Sequence, residues 1–324
     1  MKRSLLSLAA LAACAWSIAV PAAADAAYPA KPVRIIVGYS AGGPTDAVAR
    51  LVAAHLQTKL GQPFVVDNRA GAGSNIASEA VAAAAPDGYT LLVAAAPLTM
   101  NSHVYKNLKF DAVKSFVPIS KLSSAPGVLA VRTDWGVGSV KEFVAAAKKE
   151  PGKFTYGTTG LGGSQHMATE LFQRLAGVKL THIPYKGASN VMTDLIAGHV
   201  DLAFMTATGA MPHLQAGKVK PLAVAGPQRL SGLPNVPTFA EAGYPAMISD
   251  SWNGLLAPAG TPEAIVKKLH AAAAEALQMP ETRTKLESQG AIVIGNSPEE
   301  FRADIQREVA HWAEQFKAIK IEMQ

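Results

Sequence analysis

The sequence predicts an α/β protein made of two units of similar size, and three observations carry that reading. Short apolar runs such as "VRIIVG" and "YTLLVAAA" alternate with segments of helical periodicity, the pattern of strands and crossover helices in largely parallel sheets. The alternation occurs twice, once up to the segment around "PLTMNSH" and again from "KEFVAAAKKE" to "VDLAFMTA". The chain has 324 residues, enough for two domains with cores of ordinary size.

Taken in order, the chain opens with a basic start (Lys2, Arg3), an apolar run from Leu5 to Val20, and a small-residue cluster after Pro21. Ala24-Asp25-Ala26 fits the small-x-small rule, so residues 1–26 are expected to be a cleaved signal peptide, with export to the periplasm and a mature start near Ala27. A lipobox-like "LAAC" ends at Cys14, but the apolar run continues past it through "AWSIAV", against lipidation. Cys14 is the single cysteine, so the exported chain is expected to hold no disulfide and no cysteine metal ligand. The net charge of +6 comes from 30 basic and 24 acidic residues with no basic block longer than a lysine pair, which argues against nucleic acid as a partner.

"VRIIVG" reads as a buried strand, followed by a helix from about Thr45 to Leu60 with Val48, Leu51, Val52, Leu56 and Leu60 on one face. Strand "PFVVDN", loop "RAGAGS", helix "NIASEAVAAAA" and strand "YTLLVAAA" complete the first unit. The second runs through helix "KEFVAAAKKE", strand "KFTYGTT", loop "GLGGS", helix "QHMATELFQRLAG", the segment "LTHIPYKG", helix "ASNVMTDLIAG" and strand "VDLAFMTA". Two extended segments without helical period, "VPISKLSSAPGVLAVR" and "MISDSWNGLLAPAG", read as interdomain joints. If both cross between domains, residues 27–124 plus 251–324 form a discontinuous first domain, closed by two C-terminal helices, and 125–250 an inserted second one.

The loop "YSAGGPTDAVAR" concentrates backbone freedom between strand and helix. Gly42 and Gly43 permit a sharp turn and close approach to a ligand, Pro44 suits the first helical position, and Thr45 and Asp46 occupy the first turn. The first amides of a helix have no partner within it and favour an anion. "TTGLGGSQH" repeats the arrangement, and "RAGAGSN" and "YKGASN" are further candidates. Helix starts facing each other across a cleft would clamp a carboxylate. Each end contributes roughly 0.3 to 1 kcal/mol, and each charge-assisted hydrogen bond about 1.5 to 3 kcal/mol. A few of these reach the roughly 8 kcal/mol of a micromolar complex without a buried arginine. Tyr39 and Tyr185 are candidates to line the cleft, Lys186 to pair with an anion, and Asp46 either to read an ammonium or to serve the helix end.

Enzyme signatures are sparse. Ser164 has Gly162 two residues before it but His166 two after, so there is no nucleophile elbow, although Ser164 with His166 leaves a secreted serine hydrolase as an alternative. Dinucleotide and Walker loops are absent, and the eight histidines show no metal-ligand spacing, so no catalytic residue, cofactor or metal is expected.

Five stretches, "YPAKPVRIIVGYSAGGPTDAVAR", "DNRAGAGSNIASEAVAAAAPDGYTLL", "YGTTGLGGSQHMATELF", "THIPYKGASNVMTDLIAGHVDLAF" and "WNGLLAPAGTP", together resemble the periplasmic substrate-binding receptors of the tripartite tricarboxylate transporter family, the Bug family. The resemblance runs in order from Tyr28 to the C-terminus. It implies a two-domain periplasmic-binding-protein fold of type II, a Venus flytrap with an interdomain cleft. It also implies a monomer that binds a small organic anion, through backbone amides and ordered waters, and delivers it to membrane permease subunits. Carried over by position, it implies ligand contacts from Ser40, Gly42, Gly43, Thr45 and Asp46 in one domain and Thr158, Thr159, Gly162, Ser164, His166, Tyr185 and Lys186 in the other. Ala70 and Ser74 stand where the family often has proline and glycine, and Asn190 where proline is frequent, which bears on cargo more than on fold. A ligand-presenting sensor is a further alternative, since the same fold serves that use.

Overall fold

The computed structural model describes residues 28–160, 163–185 and 187–319; the leader expected at 1–26, with Cys14, lies outside them. The first half runs β1 (Val33–Val37), α1 (Pro44–Leu60), β2 (Phe64–Asn68), α2 (Asn75–Ala82), β3 (Thr90–Ala95) and the short α3 (Pro97–Met100). A 16-residue strand, β4 (Phe116–Val131), then crosses to the second half. There follow α4 (Val140–Lys149), β5 (Thr155–Thr158), α5 (Ser164–Ala176), β6 (Thr181–Pro184), α6 (Ala188–Ala197), β7 (Leu202–Thr206), α7 (Ala207–Gln215) and β8 (Lys220–Val224). The chain returns along β9 (Asp250–Pro258) and ends with α8 (Glu263–Gln278), α9 (Pro280–Ser288), β10 (Ile292–Val293) and α10 (Pro298–Ile319).

The strands form one continuous sheet in the order β2-β1-β3-β9-β4-β7-β5-β6, with β8 and β10 also on β4. The parallel pairs β1–β2, β1–β3, β5–β6 and β5–β7 lie towards the two ends. The centre is antiparallel, through β3–β9, β9–β4 and β4–β7. The expectation of largely parallel sheets therefore needs correction to a mixed sheet. The chain passes between its halves twice, and each crossing strand must pair head to tail with its neighbours. The segment "PLTMNSH" coils into α3 and a 3-10 turn at Asn101–His103.

Helices cover both faces of each half. Against the first, α1 and α8 bury Val48, Val52, Leu56, Leu269 and Leu277 on one side, while α2 and α10 bury Ala77, Val81, Phe301 and Ile305 on the other. Against the second, α4 and α5 bury Phe143 and Phe172, and α6 and α7 bury Leu195 and Met211. Met167, in the first turns of α5, packs into the first half's core with Trp252 and Phe301, and Arg174 of α5 donates to Gln315 of α10 at 2.7 Å. These two contacts tie α5 to the opposite half, which fixes where its N-terminus faces.

Candidate functional site at the facing strand ends

The register of the sheet decides where the glycine loops lie. In the first half, Val37 of β1 pairs with Val93, Ala95 of β3 with Asn253, and Asn253 with Ser123 of β4. The carboxyl ends of β1 and β3 therefore point towards Ser123–Gly127. In the second half, Leu202 of β7 pairs with Val131 and Thr206 with Gly127, while β5 and β6 run parallel to β7. Their carboxyl ends point to the same stretch of β4 from the other side. Open α/β sheets bind ligands outside the carboxyl ends of their strands, and here two such edges converge on one crossing strand.

The first loop is braced from within. Gly42 adopts φ +81, the left-handed region that glycine enters without a Cβ clash, and Gly43, in extended conformation, starts α1 with Pro44 behind it. Asp46 is 2% exposed, and its carboxylate accepts from the Gly42 amide at 2.8 Å, Arg50 Nε at 2.9 Å and Asn68 Nδ2 at 3.0 Å. Asn68 Nδ2 also donates to the Tyr39 carbonyl at 2.9 Å, so strand β2 holds both ends of the turn. Burial alone would raise the Asp46 pKa, but the hydrogen bonds from Arg50, Gly42 and Asn68 outweigh it and hold the carboxyl below its ordinary value. The Asp46 carboxylate thus braces the turn from within the first turn of α1. Thr45 is buried, Ser40 and Gly42 are exposed, and the Thr45 and Asp46 amides, in the helix's first turn, have no i−4 carbonyl. The Tyr39 ring packs on the core beneath, its hydroxyl buried near Ser74 with its pKa raised by burial.

The second loop is held by polar side chains of its own half. The Thr158 hydroxyl lies 2.6 Å from His182 Nε2 and 3.2 Å and 3.1 Å from the Gly160 amide and carbonyl. The Thr159 amide donates to Gln165 Oε1 at 3.0 Å. Ser164 starts α5 and lines a cavity of about 10 Å³ with Gly127, Thr206, Ser249 and Ser251, room for roughly one water. His166 faces inward, stacked on His182 with ring centroids 4.5 Å apart, and Glu170 lies 3.9 Å from its Nε2. Burial holds its pKa down, to about 4. The Tyr185 hydroxyl donates to Asp194 at 2.7 Å while its ring packs against the α6 side of the sheet. Gly162 and Lys186 lie outside the described residues.

Thus Tyr39, Ser40, Gly42, Gly43, Thr45 and Asp46 gather at one strand edge, and Thr158, Thr159 and Ser164 at the other. His166 and Tyr185 are engaged with side chains of their own half. Sequence reasoning missed Gln165, His182, Thr206 at the end of β7, Ser249 just before β9 and Ser251 on it. Gln165 and His182 were within quoted stretches, but no spacing rule distinguishes a loop brace from a surface polar residue. Ser249 and Ser251 join the site only through the pairing of β4 with β9.

The chain matches the family model described as "Tripartite tricarboxylate transporter family receptor" over residues 48–321. It is 36% identical over 298 residues to protein BugT of Bordetella pertussis, covering 91% of each chain. Among solved structures it resembles the periplasmic binding protein BugD, at 36% identity and TM-score 0.83 over 92% of this chain and 100% of that one. It resembles Rpa4515 of R. palustris with adipate, at 35% identity and TM-score 0.86, with the same coverage. MatC of Rhodopseudomonas palustris with bound malate follows at 34% identity and TM-score 0.81, over 89% of this chain and 99% of that one. The fold is that of the two-domain periplasmic binding proteins. With a family model spanning most of its length and a relative matched over 91% of it, this chain belongs to the receptors of the tripartite tricarboxylate transporter family.

Proposed function

We propose that this protein is a periplasmic receptor that captures a small organic carboxylate between its two domains and delivers it to the membrane permease subunits of a tripartite tricarboxylate transporter. The observation that carries the reading is the convergence of two braced, glycine-rich helix starts on one stretch of β4. Helix starts of this kind offer amide donors and partial positive charge to an anion, here from both sides. The adipate and malate held by two relatives support a dicarboxylate in particular, with tricarboxylates and aromatic acids as further members of the class. Residues 27–124 with 251–324 would act as one domain and 125–250 as the other, with β4 and β9 as the joints between them. Ligand favours the closed arrangement by the difference in its affinity for closed and open forms. The role requires no catalysis, cofactor or metal. The N-terminal leader would direct export.

Thermal melts and calorimetry of the ligand-stripped protein with adipate, malate, citrate, benzoate and glutamate test the reading. An acid present at 100 times its Kd stabilises the fold by about 2.7 kcal/mol. Selective stabilisation by a carboxylate supports the assignment. No heat and no shift with any of them, or Ser164-dependent turnover of an ester, overturns it.

A further inference from the structure

The Thr158 hydroxyl is fully buried and holds the turn at Gly160, whose φ is +122. A single hydroxyl proton cannot serve both Gly160 O and His182 Nε2, so the imidazole, as donor or acceptor, completes the set. At 2.6 Å the contact with His182 is the shortest of the three. His182 comes from β6, the edge strand, and cannot reach Thr158 by accident of local sequence. Its ring is held by stacking on Tyr156 at 4.9 Å and His166 at 4.5 Å. Those neighbours are fixed in turn: the Tyr156 hydroxyl donates to Glu170 at 2.5 Å, and Gln173 donates to Glu170 at 2.6 Å and accepts from the Leu180 amide at 2.6 Å. The polar chain therefore runs from the base of β6 through α5 to the ligand loop.

We propose that His182 is a positioning residue of the binding site: through the Thr158 hydroxyl it sets the 158–160 turn that leads into the N-terminus of α5, without touching the ligand itself. A purely space-filling ring at this position could stack equally well on Tyr156 and His166, but it would leave the Thr158 hydroxyl buried without its shortest partner. The proposal rests on the reading of this loop as one wall of the ligand site.

The test compares His182→Ala, His182→Gln and Thr158→Val in the full-length mature protein, with two readouts. Hydrogen exchange at the Gly160 amide in the ligand-free protein reports the turn, and calorimetry with adipate and malate reports binding. His182→Ala is expected to speed Gly160 exchange and weaken binding, each about tenfold, the loss of one buried hydrogen bond. His182→Gln, whose amide reaches the position of Nε2, is expected to stay within about threefold of the parent. In the His182→Ala background, Thr158→Val, which also removes the acceptor of the Gly160 amide, is expected to speed Gly160 exchange further but to weaken binding by less than it does alone. Equal effects of Ala and Gln on Gly160 exchange, or parental affinity in His182→Ala, overturn the proposal. If His182→Ala does not fold, the Gln variant with Thr158→Val still decides. If the parent binds neither acid while Gly160 exchange responds as expected, turn-setting by His182 is supported and the carboxylate reading is what has failed.

Discussion

The Ser74 hydroxyl oxygen lies 1.8 Å from where a Cβ on Gly38 would stand, so the residue that follows β1 can only be glycine in this arrangement. Ser74 itself holds φ +77, a left-handed conformation that costs a non-glycine residue about 1–2 kcal/mol. Gly38→Ala is therefore expected to destabilise the fold by about 1–3 kcal/mol, seen as a lowered denaturant midpoint. Ser74→Gly should recover part of that loss in the double variant by removing both the oxygen and the left-handed side chain. Recovery stays incomplete because the Ser74 Cα would still lie 2.8 Å from the added carbon. A parental midpoint in Gly38→Ala would show that the two loops are not packed this closely.

Asp46→Asn separates bracing from ligand contact. The carboxylate accepts from three donors, and an amide must turn its own NH2 towards at least one of them. The expected cost is about 1–3 kcal/mol of stability, with weaker carboxylate binding following from a loosened turn. Because the folded pKa is held below the ordinary 3.8, the stabilisation is complete above that value and is lost as pH falls through the folded pKa. Chemical denaturation of parent and variant should differ at pH 7 and converge in strong acid. A constant gap across that range would assign the effect to packing instead.

Much of this architecture is legible in the sequence because strands covered on both faces are continuous apolar runs. Thr90–Ala95 and Leu202–Thr206 stand out for that reason, as does Val33–Val37 despite its exposed Arg34, and glycine loops punctuate them. The same property hides direction: β4 is buried along nearly its whole length, so no alternation reveals that its neighbours at the centre of the sheet run antiparallel. The first-turn residues of α1 and α5 could be picked out from local spacing alone. The braces could not, because Asn68 reaches Asp46 over 22 residues and His182 reaches Thr158 over 24, distances at which only tertiary pairing brings polar groups together. Ser124 and Asp250, 126 residues apart, meet only because β4 and β9 share a register.

The stacked histidines predict a specific acid response. Burial holds both His166 and His182 at about 4, below the ordinary histidine value of 6.5, with His182 further lowered by His166 and raised by Glu170. The fold thus favours the neutral rings, and the unfolded chain binds more protons between those two values. Stability from this pair is complete above pH 6.5 and is lost progressively as pH falls towards 4. Thermal midpoints should drop across that window in the parent. The double variant His166→Gln/His182→Gln should lose part of the slope, whereas an unchanged slope would place the acid sensitivity elsewhere.

The crossing strands carry their own charge network. Lys121 of β4 is 9% exposed and lies 3.6 Å from Asp250 of β9 and 3.9 Å from Asp304 of α10. Beside it Glu308 of α10 accepts from Trp252 Nε1 at 2.6 Å and the Thr99 hydroxyl at 3.0 Å. Burial raises the Glu308 pKa, while Trp252 and Lys121 pull it back down. Lys121→Met leaves this acidic group without its central cation, and removing one partner of a buried ionic network costs about 3–5 kcal/mol. It also removes a charge that favours ionised Glu308, so the folded state of the variant gains more from protonation than the parent does. The stability gap is therefore expected to be widest in neutral and alkaline solution and to narrow as pH falls, measured by urea denaturation with Trp fluorescence. A gap that stays constant or widens in acid would mean that Lys121 acts through the packing of its aliphatic stem, and β4 and β9 would then be held by strand pairing without help from these charges.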